Sequence, residues 1–282
     1  MKRARRAASR AFPKLAGLMF DVDGTLLLSD RSLGGYELLP HAAETLDALA
    51  SRGMPYVLLT NGSAYPPAEQ AAKLRQLGLA VRDEQMLTPS SVAAQLMAAR
   101  GIERVLVLGS EGVGHALREA GIETRTVADA APTEVDAVYV GWHPDCGMKD
   151  IEAACNAIFA GAKLYVASDV PFFATRAGRT IGYSYAIVGA IRRVTRAPMI
   201  LTGKPSRHAM QFVARRLGIP VTRVGVVGDD PVVEMSMARR FGAAAFAVAT
   251  GMTSPAEWRR QPLARRPHRV LGDLRELLQL MP

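Results

Sequence analysis

Two aspartates stand two residues apart directly after an apolar run, in the segment Asp-Val-Asp-Gly-Thr-Leu at residues 21–26. A carboxylate can attack phosphorus as a covalent nucleophile, and a neighbouring carboxyl group can move the protons of that reaction. Paired carboxylates also offer the oxygen ligands that Mg²⁺ prefers. Asp21 and Asp23 are therefore a candidate catalytic pair, and the alternative is an Asp-rich turn without chemistry.

Further polar residues follow other apolar runs. Thr60, Asn61 and Gly62 come after the run at 56–59, and Asp229 comes after the run at 224–227. Ligands of open parallel sheets bind at the carboxyl ends of the strands, so one sheet edge can collect all these residues. Lys204, in Thr-Gly-Lys-Pro at 202–205, adds a cation. Taken singly, Thr60 could belong to a plain turn and Lys204 could be a solvated lysine.

The apolar runs that must position these residues are nearly continuous, which is typical of parallel strands buried on both faces. Helical patterns alternate with them, so the sequence predicts an α/β fold with a parallel sheet. The predicted strands are 15–20, 56–59, 105–108, 137–140, 164–167, 224–227 and 243–249. The predicted helices are 41–52, 67–78, 91–100, 112–120, 149–160, 184–195, 206–217 and 232–241.

About 140 residues separate Thr60–Ser63 from the Thr-Gly-Lys-Pro segment, far more than one crossover needs. A structureless loop of that length is improbable in a compact domain. We therefore expect an inserted α/β domain at 85–179, a core made of 15–84 plus 180–282, and a basic arm at 1–14.

In this order the segments resemble the motifs of the haloacid dehalogenase (HAD) superfamily. Asp21–Leu26 resembles the first motif, Thr60–Ser63 the second, Thr202–Pro205 the third and Gly228–Asp230 the fourth. The segment Thr250–Thr253 resembles a loop of the NagD-like branch, subclass IIA. The resemblance covers about residues 15–275 and implies a HAD-like Rossmannoid core with an inserted C2-type α/β cap domain.

The resemblance also implies a function, that of a Mg²⁺-dependent phosphatase that hydrolyses a small phosphorylated metabolite. Asp21 would form a phosphoaspartate, Asp23 would move the protons and Lys204 would neutralise charge. The phosphate would be bound by Thr60, Asn61, Gly62 and Lys204. Mg²⁺ would be held by Asp21, the Asp23 carbonyl and Asp229. Relatives in this branch often dimerise through the cap, so the resemblance also makes a homodimer through the cap an open expectation.

One position departs from the branch, which usually carries Asp five residues after the first Asp of the fourth motif. Here that residue is Glu234, which keeps the charge but reaches one methylene further. We expect it to support the metal ligands from behind, with reduced activity or altered metal preference as possible effects. The alternative function is a catalytically weakened protein that senses a phosphorylated ligand. A dinucleotide-dependent oxidoreductase is disfavoured, because 109–114 reads GxxGxG rather than GxGxxG.

Within the inserted domain, Gly141–Asp145 and Ser168–Pro171 follow predicted strands. Trp142 or His143 facing the substrate is one hypothesis, and an aromatic covering the core of the inserted domain is the other. The two cysteines, Cys146 and Cys155, form no CxxC pair, and we expect no histidine at metal-ligand spacing from them. Two reduced thiols predict a cytoplasmic protein.

Composition sets broader bounds. With 49% hydrophobic and 22% charged residues, the chain of 282 residues is predicted to be globular, without an apolar run long enough to span a bilayer. The net charge of +9 falls to +3 without the six basic residues of the arm, so we expect no nucleic-acid partner and no membrane partner. The arm is interpreted as a frayed terminus, with a transit peptide or an anionic-surface anchor as alternatives.

Overall fold

The structure is a computed structural model that describes residues 15–29, 35–129, 131–175, 178–250 and 253–280. The basic arm at 1–14 and its three interpretations lie outside these residues. No helix in the described ranges is both long and apolar enough to cross a bilayer.

The strands and helices are numbered in chain order. The strands are β1 Gly17–Phe20, β2 Leu27–Ser29, β3 Tyr36–Leu38, β4 Tyr56–Leu59, β5 Met86–Leu87, β6 Arg104–Leu108, β7 Glu123–Arg125, β8 Ala137–Val140, β9 Lys163–Val166, β10 Phe172–Thr175, β11 Gly178–Ile181, β12 Met199–Leu201, β13 Val224–Gly228, β14 Ala244–Val248 and β15 Arg269–Leu271. The α-helices are α1 Ala42–Ser51, α2 Pro67–Gln76, α3 Pro89–Ala98, α4 Glu111–Glu119, α5 Met148–Phe159, α6 Tyr183–Thr195, α7 Arg207–Leu217, α8 Ser236–Phe241, α9 Pro255–Arg260 and α10 Arg275–Leu278. Short 3-10 turns at Asp83–Gln85 and Val221–Arg223 and a π-helical turn at Pro231–Met235 complete the elements.

Local signals explain where the helices begin and end. Helix α3 begins at Pro89, earlier than the predicted 91, because the Thr88 hydroxyl accepts a hydrogen bond from Ser91 N and proline suits the first helical position. Ser206 caps α7 in the same way, through Ala209 N. Gly218 ends α7 with φ of +67°, a conformation that glycine adopts without steric cost.

The first sheet is six-stranded and parallel, in the order β15-β14-β13-β1-β4-β5. Alternate residues of β1 face opposite sides. Leu18 and Phe20 pack with α1 and α10, whereas Met19 packs with α7 and α8. The predicted parallel α/β architecture is confirmed, and β1 lies in the interior of the sheet between β4 and β13.

The second sheet has five parallel strands in the order β12-β9-β8-β6-β7. Helices α3 and α4 cover one face, and α5 and α6 cover the other. Two short antiparallel pairs, β2 with β3 and β10 with β11, were not predicted because each strand has only three or four residues.

Sheet membership does not follow the predicted limits of 85 and 179. Met86–Leu87 pairs with β4 in the first sheet, and Met199–Leu201 pairs with β9 in the second. The side chains of Ile187 and Ile191, on the helix before β12, also pack on the second sheet. The division into two domains stays a prediction, and sheet membership would move its limits to about 88 and 202.

Candidate active site

Three neighbouring strands of the first sheet end in residues predicted for the site. Asp21 follows β1, Thr60 follows β4 and Asp229 follows β13. Asp21 N continues the ladder by donating to Val227 O at 2.9 Å, which fixes the backbone where the carboxylate leaves the sheet. The parallel sheet thus brings together residues that are far apart in sequence.

Lys204 is the cation of this cluster. Its Nζ contacts Asp21 Oδ1 and lies 2.8 Å from Glu234 Oε1, and the residue is only 1% exposed. Burial by itself would lower the pKa of Lys204, but the charges of Asp21 and Glu234 outweigh burial and raise that pKa. Lys204 therefore stays a full positive charge beside the Asp21 carboxylate.

Thr25 holds the other oxygen of the same carboxylate, since its hydroxyl donates to Asp21 Oδ2 at 3.2 Å. Both oxygens of Asp21 are thereby oriented by named partners. Thr25 belongs to the predicted first motif, but its role was not foreseen.

Glu234 lies closer to the chemistry than the sequence predicted. The π-helical turn at Pro231–Met235 carries its side chain inward, where it is 2% exposed and contacts Lys204 directly. Asp230 caps this turn by accepting from Val232 N and Val233 N at 2.6 and 3.1 Å, and Asp230 N donates to Glu234 Oε2 at 3.2 Å. Burial raises the pKa of Glu234, while the positive charge of Lys204 opposes that rise. Glu234 is thus a member of the central cluster rather than a support behind it.

The carboxylates of Asp21, Asp229 and Glu234 offer oxygen atoms within 4.8 Å of one another. Three carboxylates and the single ammonium of Lys204 leave two negative charges when all are ionised, the charge that a divalent cation neutralises. An all-oxygen donor set suits the hard cation Mg²⁺. Gly24 completes the fit, because a Cβ at this position would lie 2.2 Å from Asp229 Oδ2. The residues present therefore fit a magnesium ion.

Asp23 lies half-buried next to this cluster. Burial, followed by the negative charge of Asp21, raises the pKa of Asp23 to about 6. The positive charge of Lys204 acts in the opposite direction. A carboxyl group with a pKa in this range can both give and accept a proton near neutral pH.

The predicted phosphate-binding segment is shaped by two side chains. Thr60 Oγ1 accepts from Gly62 N at 2.8 Å, which closes a tight turn. Asn61 uses both ends of its amide on Lys204: Oδ1 accepts from Lys204 N at 2.7 Å and Nδ2 donates to Lys204 O at 3.0 Å. The Asn61 side chain therefore positions the lysine, a role that sequence reasoning missed.

A cavity of about 140 Å³ opens over these groups and is bounded by both sheets. Its polar floor includes Asp21, Asp23, Thr60, Asp229 and Glu234. Its apolar wall consists of Trp142, Val170, Phe172, Phe173, Tyr183 and Val233. The Trp142 ring meets Tyr183 and Phe173 edge to face, at centroid distances of 4.6 and 5.9 Å.

One hypothesis for this loop was that Trp142 or His143 faces the substrate, and the other was that an aromatic covers the core of the inserted domain. Trp142 lines the cavity. Its backbone N donates to Ser63 Oγ at 3.0 Å, so the loop is attached to the segment after β4. Phe172, Phe173 and Tyr183 were not predicted, because no spacing pattern links them in sequence.

The glycine-rich turn at 109–114 has a packing role, in line with its interpretation as a strand–helix turn. A Cβ at Gly112 would lie 2.4 Å from the backbone of Tyr65, and Ser110 Oγ donates to Ala64 O at 2.8 Å. The absence of a side chain allows the start of α4 to approach the segment after β4.

The Thr250–Thr253 loop is described only at its two ends. Thr253 Oγ1 donates to Asp229 O at 2.9 Å and so supports the end of β13 that carries Asp229. Residues 251–252 lie outside the described part of the chain.

His143 is not among the described residues that line the cavity, and its ring lies close to the side chains of Cys146 and Asp150. The expectation that no histidine stands at ligand spacing from a cysteine is wrong. The turn after β8 and the first turn of α5 bring these three side chains together.

Comparison with known proteins agrees with this geometry. A family model described as haloacid dehalogenase-like hydrolase matches residues 18–123, and a second, described as HAD-hydrolase-like, matches residues 201–277. D-glycerol 3-phosphate phosphatase of Mycobacterium tuberculosis is 30% identical over 93% of this chain and 70% of its own length. 5′-nucleotidase YutF of Bacillus subtilis is 27% identical over 84% of this chain and 88% of its own.

A solved structure shares the fold over most of this chain. It is the glycerol phosphate phosphatase from Mycobacterium tuberculosis in complex with magnesium, with a TM-score of 0.81 and 27% identity over 94% of this chain and 76% of that chain. Asp21, Thr60 and Asp229 follow neighbouring strands of one sheet, Lys204 reaches Asp21 from the second sheet, and the relatives are phosphatases. The chain therefore belongs to the haloacid dehalogenase-like hydrolases, as a phosphatase of their NagD-like branch.

Proposed function

We propose that this phosphatase hydrolyses the monoester of a small phosphorylated metabolite, with Mg²⁺ as cofactor and Asp21 as the nucleophile. The observation that carries the proposal is the contact of buried Lys204 with the carboxylates of Asp21 and Glu234, beside Asp229. A phosphoryl group and an attacking carboxylate are both negatively charged and repel each other. Positive charge held beside the carboxylate reduces this repulsion and so favours the attack.

In the first step, an oxygen of Asp21 forms a bond to phosphorus, and the bond from phosphorus to the ester oxygen breaks. Lys204 stabilises the charge on the transferring phosphoryl group, and the Thr60 hydroxyl with the backbone N–H of Asn61 binds its oxygens. The N–H of Gly62 donates to Thr60 Oγ1 instead and so holds that hydroxyl in place. Asp23, with a pKa of about 6, gives its proton to the leaving oxygen. The products of this step are the alcohol and a phosphoaspartate.

In the second step, water attacks the phosphorus of the phosphoaspartate. Asp23 now accepts a proton from that water, and the bond between phosphorus and Asp21 breaks. Inorganic phosphate leaves, and both aspartates return to their starting states. The same carboxyl group thus acts as acid and then as base.

The cation would be held by the carboxylates of Asp21 and Asp229 and by the Asp23 carbonyl, with Glu234 close enough to contribute. When bound, Mg²⁺ supplies positive charge that offsets the repulsion between the Asp21 carboxylate and the phosphate. The related glycerol phosphate phosphatase, whose structure contains magnesium, supports this choice of metal.

The size of the cavity and the names of the relatives support a small substrate. The relatives are named for glycerol phosphate and for 5′-nucleotides, which are phosphate monoesters of small molecules. The apolar wall that includes Trp142 and Tyr183 would contact the leaving group, since the polar floor is used for the phosphate.

The test is phosphate release from para-nitrophenyl phosphate with Mg²⁺ and then with excess EDTA. We expect release that EDTA abolishes and that D21N lacks. Full activity of D21N, or release that persists in EDTA, would contradict the proposal. Tight binding of phosphate esters without turnover would favour the alternative, a sensor of phosphorylated ligands. A panel of phosphorylated metabolites then ranks the substrates by kcat/KM.

Two further parts of the proposal concern assembly and location. We propose a homodimer through the second sheet and its helices, supported by exposed Met148 and Phe159 on α5 and Val194 on α6. Light scattering of the wild type and a Phe159→Glu variant tests it, because the charge should shift the mass towards a monomer.

Free thiols at Cys146 and Cys155 support a cytoplasmic location, which fractionation of cells tests.

A further inference from the structure

Three side chains that can ligate a metal converge outside the catalytic cavity. Three ligand atoms lie within 4.8 Å of one another: a ring nitrogen of His143, the Sγ of Cys146 and a carboxylate oxygen of Asp150. Within the described residues, none of the three lines the cavity that holds Asp21. They therefore form a cluster of their own, in and after the loop that carries Trp142.

The local fold sets their positions. Cys146 N donates to His143 O at 3.4 Å, which closes the turn after β8 and places both side chains on one side. Asp150 stands in the first turn of α5, where its Oδ2 accepts from Gly147 N at 2.8 Å. This hydrogen bond orients the carboxylate, so its second oxygen has a fixed direction.

That second oxygen points at the imidazole. Asp150 Oδ1 lies 3.6 Å from His143 Nε2, which is longer than an ordinary hydrogen bond. A separation of this length leaves the nitrogen and the oxygen available to a common cation. Cys146 Sγ has one weak contact, to Gly147 O at 3.9 Å, which a metal–sulfur bond would replace.

The donor set differs in kind from that of the catalytic cluster. Imidazole, thiolate and carboxylate together suit Zn²⁺ and related borderline cations, whereas the oxygen ligands around Asp21 suit Mg²⁺. The thiolate and the carboxylate supply two negative charges, so a divalent cation would leave the site neutral. His143 and Asp150 have side chains 21% and 23% exposed, which gives an ion access and leaves room for water.

We propose that His143, Cys146 and Asp150 bind one divalent cation of the zinc type, with water completing the coordination. The site lies next to Trp142 in sequence, so a bound ion would fix the loop that forms part of the cavity wall. This inference does not depend on the proposed reaction.

Cobalt provides a direct test, because Co²⁺ replaces Zn²⁺ and a cobalt–thiolate bond absorbs in the near ultraviolet. The full chain is titrated with Co²⁺ in excess Mg²⁺, which keeps the oxygen site filled. We expect one equivalent to produce the thiolate band in the wild type, in C155S and in D21N. The band should vanish in C146S and weaken in H143A. D150N keeps an oxygen that can accept from Gly147 N, and this variant should lower the affinity for Co²⁺ about tenfold.

The C155S and D21N variants are the matched controls. Cys155 lies on α5, as Asp150 does, but is buried in the core of the second sheet. Asp21 belongs to the catalytic cluster. A band that persists in C146S would overturn the proposal, as would a band lost in D21N. Absence of the band in the wild type would also overturn it, because cobalt held by the oxygen ligands of the catalytic cluster alone produces no thiolate band.

Thiol reactivity gives an independent readout. In the C155S background, only Cys146 can react with Ellman's reagent. We expect stoichiometric Zn²⁺ to slow this reaction at least about tenfold, and H143A to remove most of the protection. An unchanged rate in Zn²⁺ would overturn the proposal. Circular dichroism of each variant separates loss of a ligand from loss of the fold.

Discussion

The Asn61 side chain forms hydrogen bonds with both the backbone N–H and the backbone carbonyl of Lys204, a residue 143 positions away in sequence. Asn61 follows a strand of the first sheet, and Lys204 follows a strand of the second. These two hydrogen bonds therefore join the sheets at the point from which the lysine reaches Asp21.

Replacing Asn61 by Ala should lower kcat for para-nitrophenyl phosphate by about 10- to 100-fold, because a small displacement of Lys204 weakens its contact with Asp21. N61D keeps the acceptor for Lys204 N but loses the donor to Lys204 O. Its kcat should therefore lie between that of the wild type and that of N61A. Steady-state kinetics at saturating Mg²⁺ measures both variants. Wild-type kcat in N61A would show that the lysine does not need this support.

Glu234 should set the affinity for Mg²⁺. E234Q keeps the shape of the side chain but removes one negative charge beside Lys204. We expect the Mg²⁺ concentration for half-maximal activity to rise about tenfold in E234Q. E234D keeps the charge and should shift that concentration much less. An identical Mg²⁺ dependence of wild type and E234Q would exclude a role for this charge in metal binding.

Gly24 and Gly53 form a matched pair for testing the metal site, since both have positive φ, +86° and +65°. A Cβ at Gly24 would strike Asp229 Oδ2, whereas a Cβ at Gly53 would meet nothing within 4 Å. G53A should lose about 1–2 kcal/mol of unfolding free energy from backbone strain and keep its activity. G24A should lose Mg²⁺-dependent activity as well. Urea unfolding and kinetics distinguish the two effects, and an active G24A would contradict the close approach of Gly24 to Asp229.

Trp142 should recognise the leaving group of aromatic substrates. Trp142→Ala removes the edge-to-face contacts with Tyr183 and Phe173 and opens the cavity wall. KM for para-nitrophenyl phosphate should rise about two- to tenfold. KM for a small aliphatic phosphate should change less. Leu263→Ala, at an exposed side chain that does not line the cavity, is the control and should leave both KM values unchanged.

The polar floor of the site could be predicted from sequence because one geometric rule governs it. Asp21, Thr60 and Asp229 each follow a buried apolar strand, and the carboxyl ends of neighbouring parallel strands lie side by side. The strands and helices themselves were predictable wherever an apolar pattern was long, as in β13 and α7.

Other features depend on contacts that no local pattern encodes. Strand β12 has three half-buried residues, so its pairing with β9 could not be read from its own sequence. The depth of Glu234 results from a π-helical turn, and the ordinary helical pattern at 232–241 does not reveal that turn. The ligand cluster at His143 was missed because its members span a turn and a helix, so their spacing fits no common metal motif.

The strand that delivers Lys204 belongs to the second sheet, although the lysine contacts Asp21, which follows a strand of the first. This has a consequence for recombination between related phosphatases. A chimera that exchanges substrate-facing segments should take residues 88–202 as one block, together with the partner of Asn61 that follows them. A junction near 180 would divide one sheet between two parents, and the hybrid would inherit a lysine whose supporting strand was shaped for other neighbours.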